Sequence, residues 1–148
     1  MDSAARILLM TGLAASTIAA TPALAGKPFR GPVEATVLEV LDGDTFLAEA
    51  LVWPGHTIRI NVRIRGIDAP EMKARCQVER AAAEKARQAL MVLFDDGPVA
   101  ISNISGAKYY GRVLADVATI DGQSVAPRLI GERLVRPYDG GRRESWCG

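Results

Sequence analysis

The sequence predicts a mainly β protein with helices, an α+β fold in which five strands form a small barrel. Five short, apolar-rich stretches are separated by turn residues, and a helix-forming stretch lies between the third and the fourth. This order is typical of the OB-fold, a partly closed five-stranded barrel that binds oligonucleotides and oligosaccharides. With 148 residues, about half of them apolar, the chain is long enough for one compact domain with its own core.

The first three predicted strands follow one another with short turns. In residues 33–40 apolar side chains recur with a period near two, which is the period of a strand with one buried face. Asp42-Gly43 interrupts this pattern before it resumes at Thr45, and this predicts a hairpin. A second turn at residues 53–56 leads into a third strand, predicted over residues 57–67.

Residues 77–93 are rich in alanine, glutamate, lysine, arginine and leucine and contain no glycine or proline, which favours a helix. Apolar residues at three- and four-residue steps form a stripe that we expect to pack on the core: Val78, Ala82, Ala86, Leu90 and Leu93. Two more strands, at residues 99–104 and 113–120, and a C-terminal helix over residues 125–134 complete the predicted fold.

The N-terminal residues 1–25 are typical of a signal peptide. Arg6 precedes an apolar run over residues 7–20, and Ala23-Leu24-Ala25 has the A-x-A pattern of a cleavage site. The alternative is an uncleaved membrane anchor, but polar residues and Pro22 interrupt a run that would need about 20 apolar residues to span a bilayer. We expect cleavage after Ala25, a periplasmic or secreted location, and no stable membrane association of the mature chain.

The remaining chain is predicted to divide into a flexible leader at residues 26–32, one domain at residues 33–138, and a basic tail at residues 139–148. The formal net charge is +1, and it stays at +1 after cleavage because Asp2 and Arg6 cancel. Overall charge therefore does not indicate a nucleic-acid-binding protein, and any such role depends on where the arginines lie.

A strand with alternating arginines runs into an acidic corner in the middle of the chain. Arg63 and Arg65 alternate with apolar residues, so that they share one face of the strand. Pro70 has no N–H group and ends the strand, which leaves Asp68 and Glu71 on a rigid bend close to the arginines. Side chains held in this way can be aimed at a substrate, although a charged loop after a surface strand would show the same pattern.

Three motifs occur in order around this strand pattern: Asp42-Gly43-Asp44-Thr45, then RIRGIDAPE from Arg63 to Glu71, then Tyr110-Gly111-Arg112. Together they resemble the staphylococcal-nuclease-like thermonuclease family, over about residues 33–138. The resemblance implies a calcium-dependent phosphodiesterase that acts on DNA and RNA.

The resemblance also implies a metal site. Asp44 and Asp68 match the two metal-binding carboxylates of the family, and Ala69 matches a position that binds metal through its backbone carbonyl. Two carboxylates and a carbonyl are hard oxygen ligands, which suit calcium and leave magnesium possible. For Asp42 and Asp44 ordinary turn chemistry is the alternative explanation, and it accounts for Asp42-Gly43 better than for Asp44.

Three charged residues match the family's catalytic positions. Arg63 and Arg112 match the phosphate-binding arginines, and Glu71 matches the general base. A planar guanidinium can donate two hydrogen bonds to one phosphate, so arginine suits this task. For Glu71 the alternative is an ion pair with Arg63 or Arg65, and Arg65 itself is expected to be a surface ion-pair partner.

Three tyrosines are candidates for stacking on a sugar or base: Tyr109, Tyr110 and Tyr138. Each could equally be part of the core. The expected partner is a nucleic acid substrate, and the expected state is a monomer. Two other functions compete with an exported nuclease, namely a barrel that binds nucleic acid without catalysis and a phosphodiesterase for small phosphate esters.

Cys76 and Cys147 are the two cysteines of the chain. After export they would enter an oxidising compartment, where an intramolecular disulfide is the expected outcome. Two free thiols or an intermolecular bridge are the alternatives. A bridge would hold the tail, with Arg142 and Arg143, beside the acidic corner.

Overall fold

The structure is a computed structural model that describes residues 26–95, 97–107 and 111–148. The predicted signal peptide, residues 1–25, lies outside the described residues, and so do Tyr109 and Tyr110. None of the helices in the described part of the chain is long and apolar enough to cross a membrane.

The predicted five-stranded barrel is confirmed. In chain order the elements are β1 Val33–Asp42, β2 Thr45–Trp53, β3 His56–Ile64, β4 Ile67–Asp68, α1 Gln77–Phe94, β5 Val99–Gly106, β6 Arg112–Ala118, α2 Val125–Gly131 and β7 Arg136–Pro137. The barrel strands close in the order β1-β2-β3-β6-β5, with β5 pairing back onto β1. The two short strands β4 and β7 form a separate ribbon. Within the predicted leader, Phe29 forms a bridge to Ile104 through two backbone hydrogen bonds of 2.7 Å.

The barrel interior is filled by the inward faces of its strands, where Phe46, Val62 and Ile101 are almost fully buried. Helix α1 lies over the barrel, and the ring of its last residue, Phe94, packs edge to face against Phe46 with 4.8 Å between the ring centroids. This contact adds the favourable geometry of an aromatic pair to the burial of apolar surface.

The predicted core stripe of the helix is confirmed at Ala86 and Leu90 but is wrong at Val78. Its buried residues are Ala83, Ala86, Leu90 and Phe94, whereas the predicted core residue Val78 is 71% exposed. One turn before Ala83 the buried stripe would continue at position 79, and residue 78 is turned about 100° from it on a helix of 3.6 residues per turn. The first turn of α1 therefore directs Glu79 towards the acidic corner, and Val78 does not lie in the core.

The third strand ends earlier than predicted. β3 stops at Ile64, because the chain turns at Gly66, whose φ of +82° is a conformation that other residues rarely adopt. The next two residues, Ile67 and Asp68, form β4 and pair with β7 near the other end of the chain. The turn thus brings the start of the C-terminal tail to the acidic corner.

The C-terminal helix is also shorter than predicted, since α2 ends at Gly131. Its Leu129 is buried, and the backbone N–H of Leu134 donates a 3.1 Å hydrogen bond to the Leu129 carbonyl as the chain leaves the helix. Residues 132–135 are thus the connection that leads into β7.

Candidate functional site

Two turns meet at one end of the barrel and bring together Asp44 and Asp68, which are 2% and 3% exposed. Gly43 allows this approach. A Cβ atom at position 43 would lie 2.6 Å from the Cβ of Ala86 and 3.0 Å from the Cβ of Ala69, closer than such atoms pack. The β1–β2 turn therefore sits directly on helix α1 and on the acidic corner.

The Asp44 carboxylate receives hydrogen bonds at both oxygens. Its Oδ1 accepts from Arg63 Nη1 at 2.5 Å and from Thr45 Oγ1 at 2.8 Å, and its Oδ2 accepts from the backbone N–H of Ala69 at 2.9 Å. Burial raises the pKa of Asp44 and the nearby Asp42 carboxylate raises it further, while Arg63 acts in the opposite direction. The bound Arg63 thus offsets part of the cost of burying this charge.

Asp68 is the second buried carboxylate and is surrounded by cations. Nε of Arg143 lies 2.5 Å from its Oδ1, and Nη2 of Arg63 lies 3.9 Å from the same oxygen. Neither contact is aligned as a hydrogen bond, and no described residue donates one to this oxygen. The indole N–H of Trp146 donates to Oδ2 at 3.4 Å. The charge of this buried carboxylate is therefore balanced by guanidinium groups, and a metal cation at the same oxygen would balance it in the same way.

The carbonyl of Ala69 and the side chain of Glu71 complete the corner. The Ala69 carbonyl accepts a 2.7 Å hydrogen bond from Nη2 of Arg143, and Nη1 of Arg143 pairs with Oε1 of Glu71. The backbone N–H of Glu71 donates to Oε1 of Glu79 at 3.0 Å, which fixes the corner to the first turn of α1. Glu71 is therefore ion-paired, but with Arg143 and not with Arg63 or Arg65.

The two arginines predicted to bind phosphate come from neighbouring strands. β3 and β6 run parallel, with Asn61 opposite Arg112 and Arg63 opposite Leu114, so Arg112 lies two register positions from Arg63. Arg65 is directed elsewhere, because it pairs with Asp116 at 3.2 Å, as expected for a surface ion-pair partner.

A cleft of about 450 Å³ opens above these residues. It is lined by Asp44, Arg63, Ala69, Glu71, Arg112 and Tyr138, among others. The Tyr138 hydroxyl donates a 2.8 Å hydrogen bond to the Gly141 carbonyl, so this ring is held at the rim by the tail. The other two stacking candidates, Tyr109 and Tyr110, lie outside the described residues.

The predicted disulfide between Cys76 and Cys147 is present, with 5.9 Å between the Cα atoms. The Cys76 sulfur also caps α1, since it accepts a hydrogen bond from the backbone N–H of Glu79 at 3.4 Å. These two sulfurs and the Glu79 carboxylate are close together, but the sulfurs are bonded to each other and are not free to bind metal.

Oxygen donors for a hard cation are instead supplied by Asp44, Asp68 and the carbonyl of Ala69, which we call the candidate metal site. All three residues are buried, and one Asp68 oxygen has no hydrogen-bond donor among the described residues. The set contains oxygen only, so its chemistry fits calcium or magnesium better than zinc.

The sequence placed Arg143 beside the acidic corner if the disulfide formed, as it does, but it assigned no role in the site to Arg143 or Trp146. The guanidinium plane of Arg136 stacks on the Trp146 ring at 3.8 Å from its centroid, which secures the tail beside Asp68. The one available signal was the position of Cys147, since its pairing with Cys76 requires that the tail lie at the corner.

Comparison with known proteins agrees with this geometry. Residues 61–142 match the family model described as staphylococcal nuclease homologue, whereas no curated protein matches the chain. The matched region is more than half of the chain and includes Arg63, Asp68, Glu71 and Arg112. Asp44 precedes the matched region and reaches the site through the β1–β2 turn. The chain belongs to the family of staphylococcal nuclease homologues.

Proposed function

We propose that the protein is an exported, calcium-dependent nuclease that hydrolyses phosphodiester bonds of DNA, RNA or both by metal-assisted attack of water. The observation that supports this most directly is the cleft, where one cavity is lined by both predicted phosphate-binding arginines, by Glu71 and by two members of the candidate metal site. These are the groups that a reaction at a phosphate requires.

The arginines bind and stabilise the phosphate in this proposal. Attack of water on a phosphodiester places extra negative charge on the phosphate oxygens, and Arg63 and Arg112 can donate paired hydrogen bonds where that charge develops. When bound by Asp44, Asp68 and the Ala69 carbonyl, calcium supplies further positive charge at the same place. Magnesium is the possible substitute, since it also prefers oxygen ligands.

Glu71 is the proposed general base. Its carboxylate lines the cleft and lies next to Ala69, so that it can take a proton from a water molecule that attacks the phosphate. Tyr138 at the rim offers a ring for contact with a sugar or base, and we propose the same role for Tyr109 and Tyr110.

Export is supported by two independent features. Residues 1–25 have the pattern of a cleavable signal, and the disulfide between Cys76 and Cys147 is of a kind that persists in oxidising compartments. We propose a periplasmic or secreted location and action as a monomer. Fractionation of expressing cells, with N-terminal sequencing of the exported protein, tests the location and the cleavage after Ala25.

The activity is tested with purified protein, single- and double-stranded DNA and RNA, and a small chromogenic phosphodiester, each with calcium, magnesium or chelator. A nuclease cleaves the polymers, with calcium at least as effective as magnesium, and excess chelator abolishes cleavage. Retardation of the polymers without cleavage would instead show a binding protein. Hydrolysis of the small ester alone would show a phosphodiesterase for small substrates.

A further inference from the structure

We propose that Arg143 is an internal competitor of the metal ion, and that the Cys76–Cys147 disulfide holds it in place, so that the tail sets the calcium affinity of the candidate metal site. This inference rests on the proposed function for the identity of the ion. It concerns a residue outside the three motifs that indicated the family and one position beyond the matched region.

The guanidinium of Arg143 contacts the groups that a bound cation would use. Its Nε is 2.5 Å from Oδ1 of Asp68, its Nη2 donates to the Ala69 carbonyl at 2.7 Å, and its Nη1 pairs with Glu71. Two of the three proposed metal ligands and the proposed general base are therefore held by one positive side chain. A cation at these oxygens competes with the guanidinium for the same lone pairs and is repelled by its positive charge.

Arg143 lines the cleft and contacts Asp68, which is not among the residues that line the cleft. Asp68 instead lines a second cavity beneath the tail, together with Arg136 and Arg142. Only 5% of the Asp68 side chain is exposed. A cation that enters through the cleft therefore meets the Arg143 guanidinium at Asp68 and competes with it there.

The Arg143 side chain is able to leave. It is 39% exposed, compared with 21% for Arg63. Gly140 and Gly141, both at positive φ, precede it in the tail and give the backbone a wide choice of conformations. The contact is thus close enough to compete and exposed enough to be replaced.

The tail keeps the competitor near the site. The disulfide anchors position 147 to the start of α1, Nη1 of Arg136 donates to the Ser145 carbonyl at 3.0 Å, and the same guanidinium stacks on Trp146. Tethering turns the return of Arg143 into an intramolecular step at high effective concentration. Opening the disulfide removes one anchor, so reduction should favour the cation.

The test is calorimetric titration of calcium into purified, oxidised protein, comparing wild type with Arg143→Ala and Arg143→Gln. We expect both variants to bind calcium at least fivefold more tightly than wild type. Arg142→Ala is the matched control, because it removes the same charge from the adjacent tail position. Arg142 forms no ion pair with any described residue, and its substitution should change the dissociation constant less than twofold. Thermal melts without calcium confirm that all variants are folded.

A second arm uses Cys76→Ser with Cys147→Ser, for which we expect an intermediate gain in calcium affinity. The inference is overturned if Arg143→Ala binds calcium no more tightly than wild type, or no more tightly than Arg142→Ala. It is also overturned if affinity is unchanged and hydrolysis at saturating calcium falls, because Arg143 would then be a substrate-binding residue. Tighter calcium binding without hydrolysis of any polymer would sustain the inference and refute the nuclease. If neither wild type nor variant binds calcium, both proposals fail.

Discussion

Replacing both Cys76 and Cys147 with serine should lower the free energy of unfolding by about 4 kcal/mol. The disulfide joins residues 71 positions apart, and the chain-entropy relation gives roughly 4 kcal/mol at 25 °C for closing a loop of that size. Serine is the right replacement, because Cys76 is the N-cap of α1 and a serine hydroxyl can keep that hydrogen bond. For a domain of this length the loss corresponds to a decrease in melting temperature of about 15 °C.

Equilibrium unfolding in urea measures this difference directly, for the oxidised wild type and the double-serine variant at equal pH and salt. Reductant added to wild type should reproduce most of the loss, and it should leave the variant unchanged. A difference below about 1 kcal/mol would refute the reasoning, since the disulfide would then constrain the unfolded chain far less than its loop length requires.

Three further predictions concern the site. We expect kcat to fall by 100-fold or more, about 3 kcal/mol, in each of three variants: Arg63→Lys, Glu71→Gln and Arg112→Lys. Arg59→Lys, on the exposed face of β3, should have no effect in the same assay. A variant with wild-type kcat would show that the replaced residue has no part in the mechanism. Gly43→Ala should lower the free energy of unfolding by about 1–3 kcal/mol in urea titrations, because its Cβ would overlap Ala86; unchanged stability would show that the turn can shift freely. Calcium affinity should fall on acidification, and the fall should begin at a higher pH than the pKa of an ordinary aspartate would give, because burial raises the pKa of Asp44 and a proton on Asp44 competes with the cation. Calorimetry at several pH values checks this, and a fall that begins only where an ordinary aspartate is protonated would show that Asp44 binds no metal.

Most of the barrel could be predicted from the sequence, because strand alternation and helix composition are local properties. The end of β3 could not, since Gly66 looks like a minor interruption until its turn pairs Asp68 with the other end of the chain. The helix face was misjudged at Val78 for a similar reason. Val78 follows the helical spacing of the other apolar residues. The first turn of α1, however, begins at the disulfide-bonded Cys76 and contacts the acidic corner through Glu79, so Val78 does not reach the core.

The residues of the candidate site also fall into two groups, those that a local motif predicts and those that depend on distant contacts. Residues carried by one contiguous motif, such as Arg63 and Glu71, could be predicted to lie together because the motif itself joins them, and both line the cleft. Arg143 was not, since its contact with Glu71 joins residues 72 positions apart and depends on how the tail is anchored. No local pattern around Arg143 distinguishes it from Arg142, and only the folded chain separates their roles.

The parallel pairing of β3 with β6 has a consequence for how this site can change in evolution. Arg63 and Arg112 are 49 positions apart in sequence, yet their separation in space is set by a backbone ladder. Loops between them can lengthen or shorten without altering the gap between the two guanidinium groups. A single-residue insertion within β6 would turn Arg112 to the opposite face of the barrel wall. The distance between the two arginines is therefore tolerant of changes in loops and intolerant of changes in strand register.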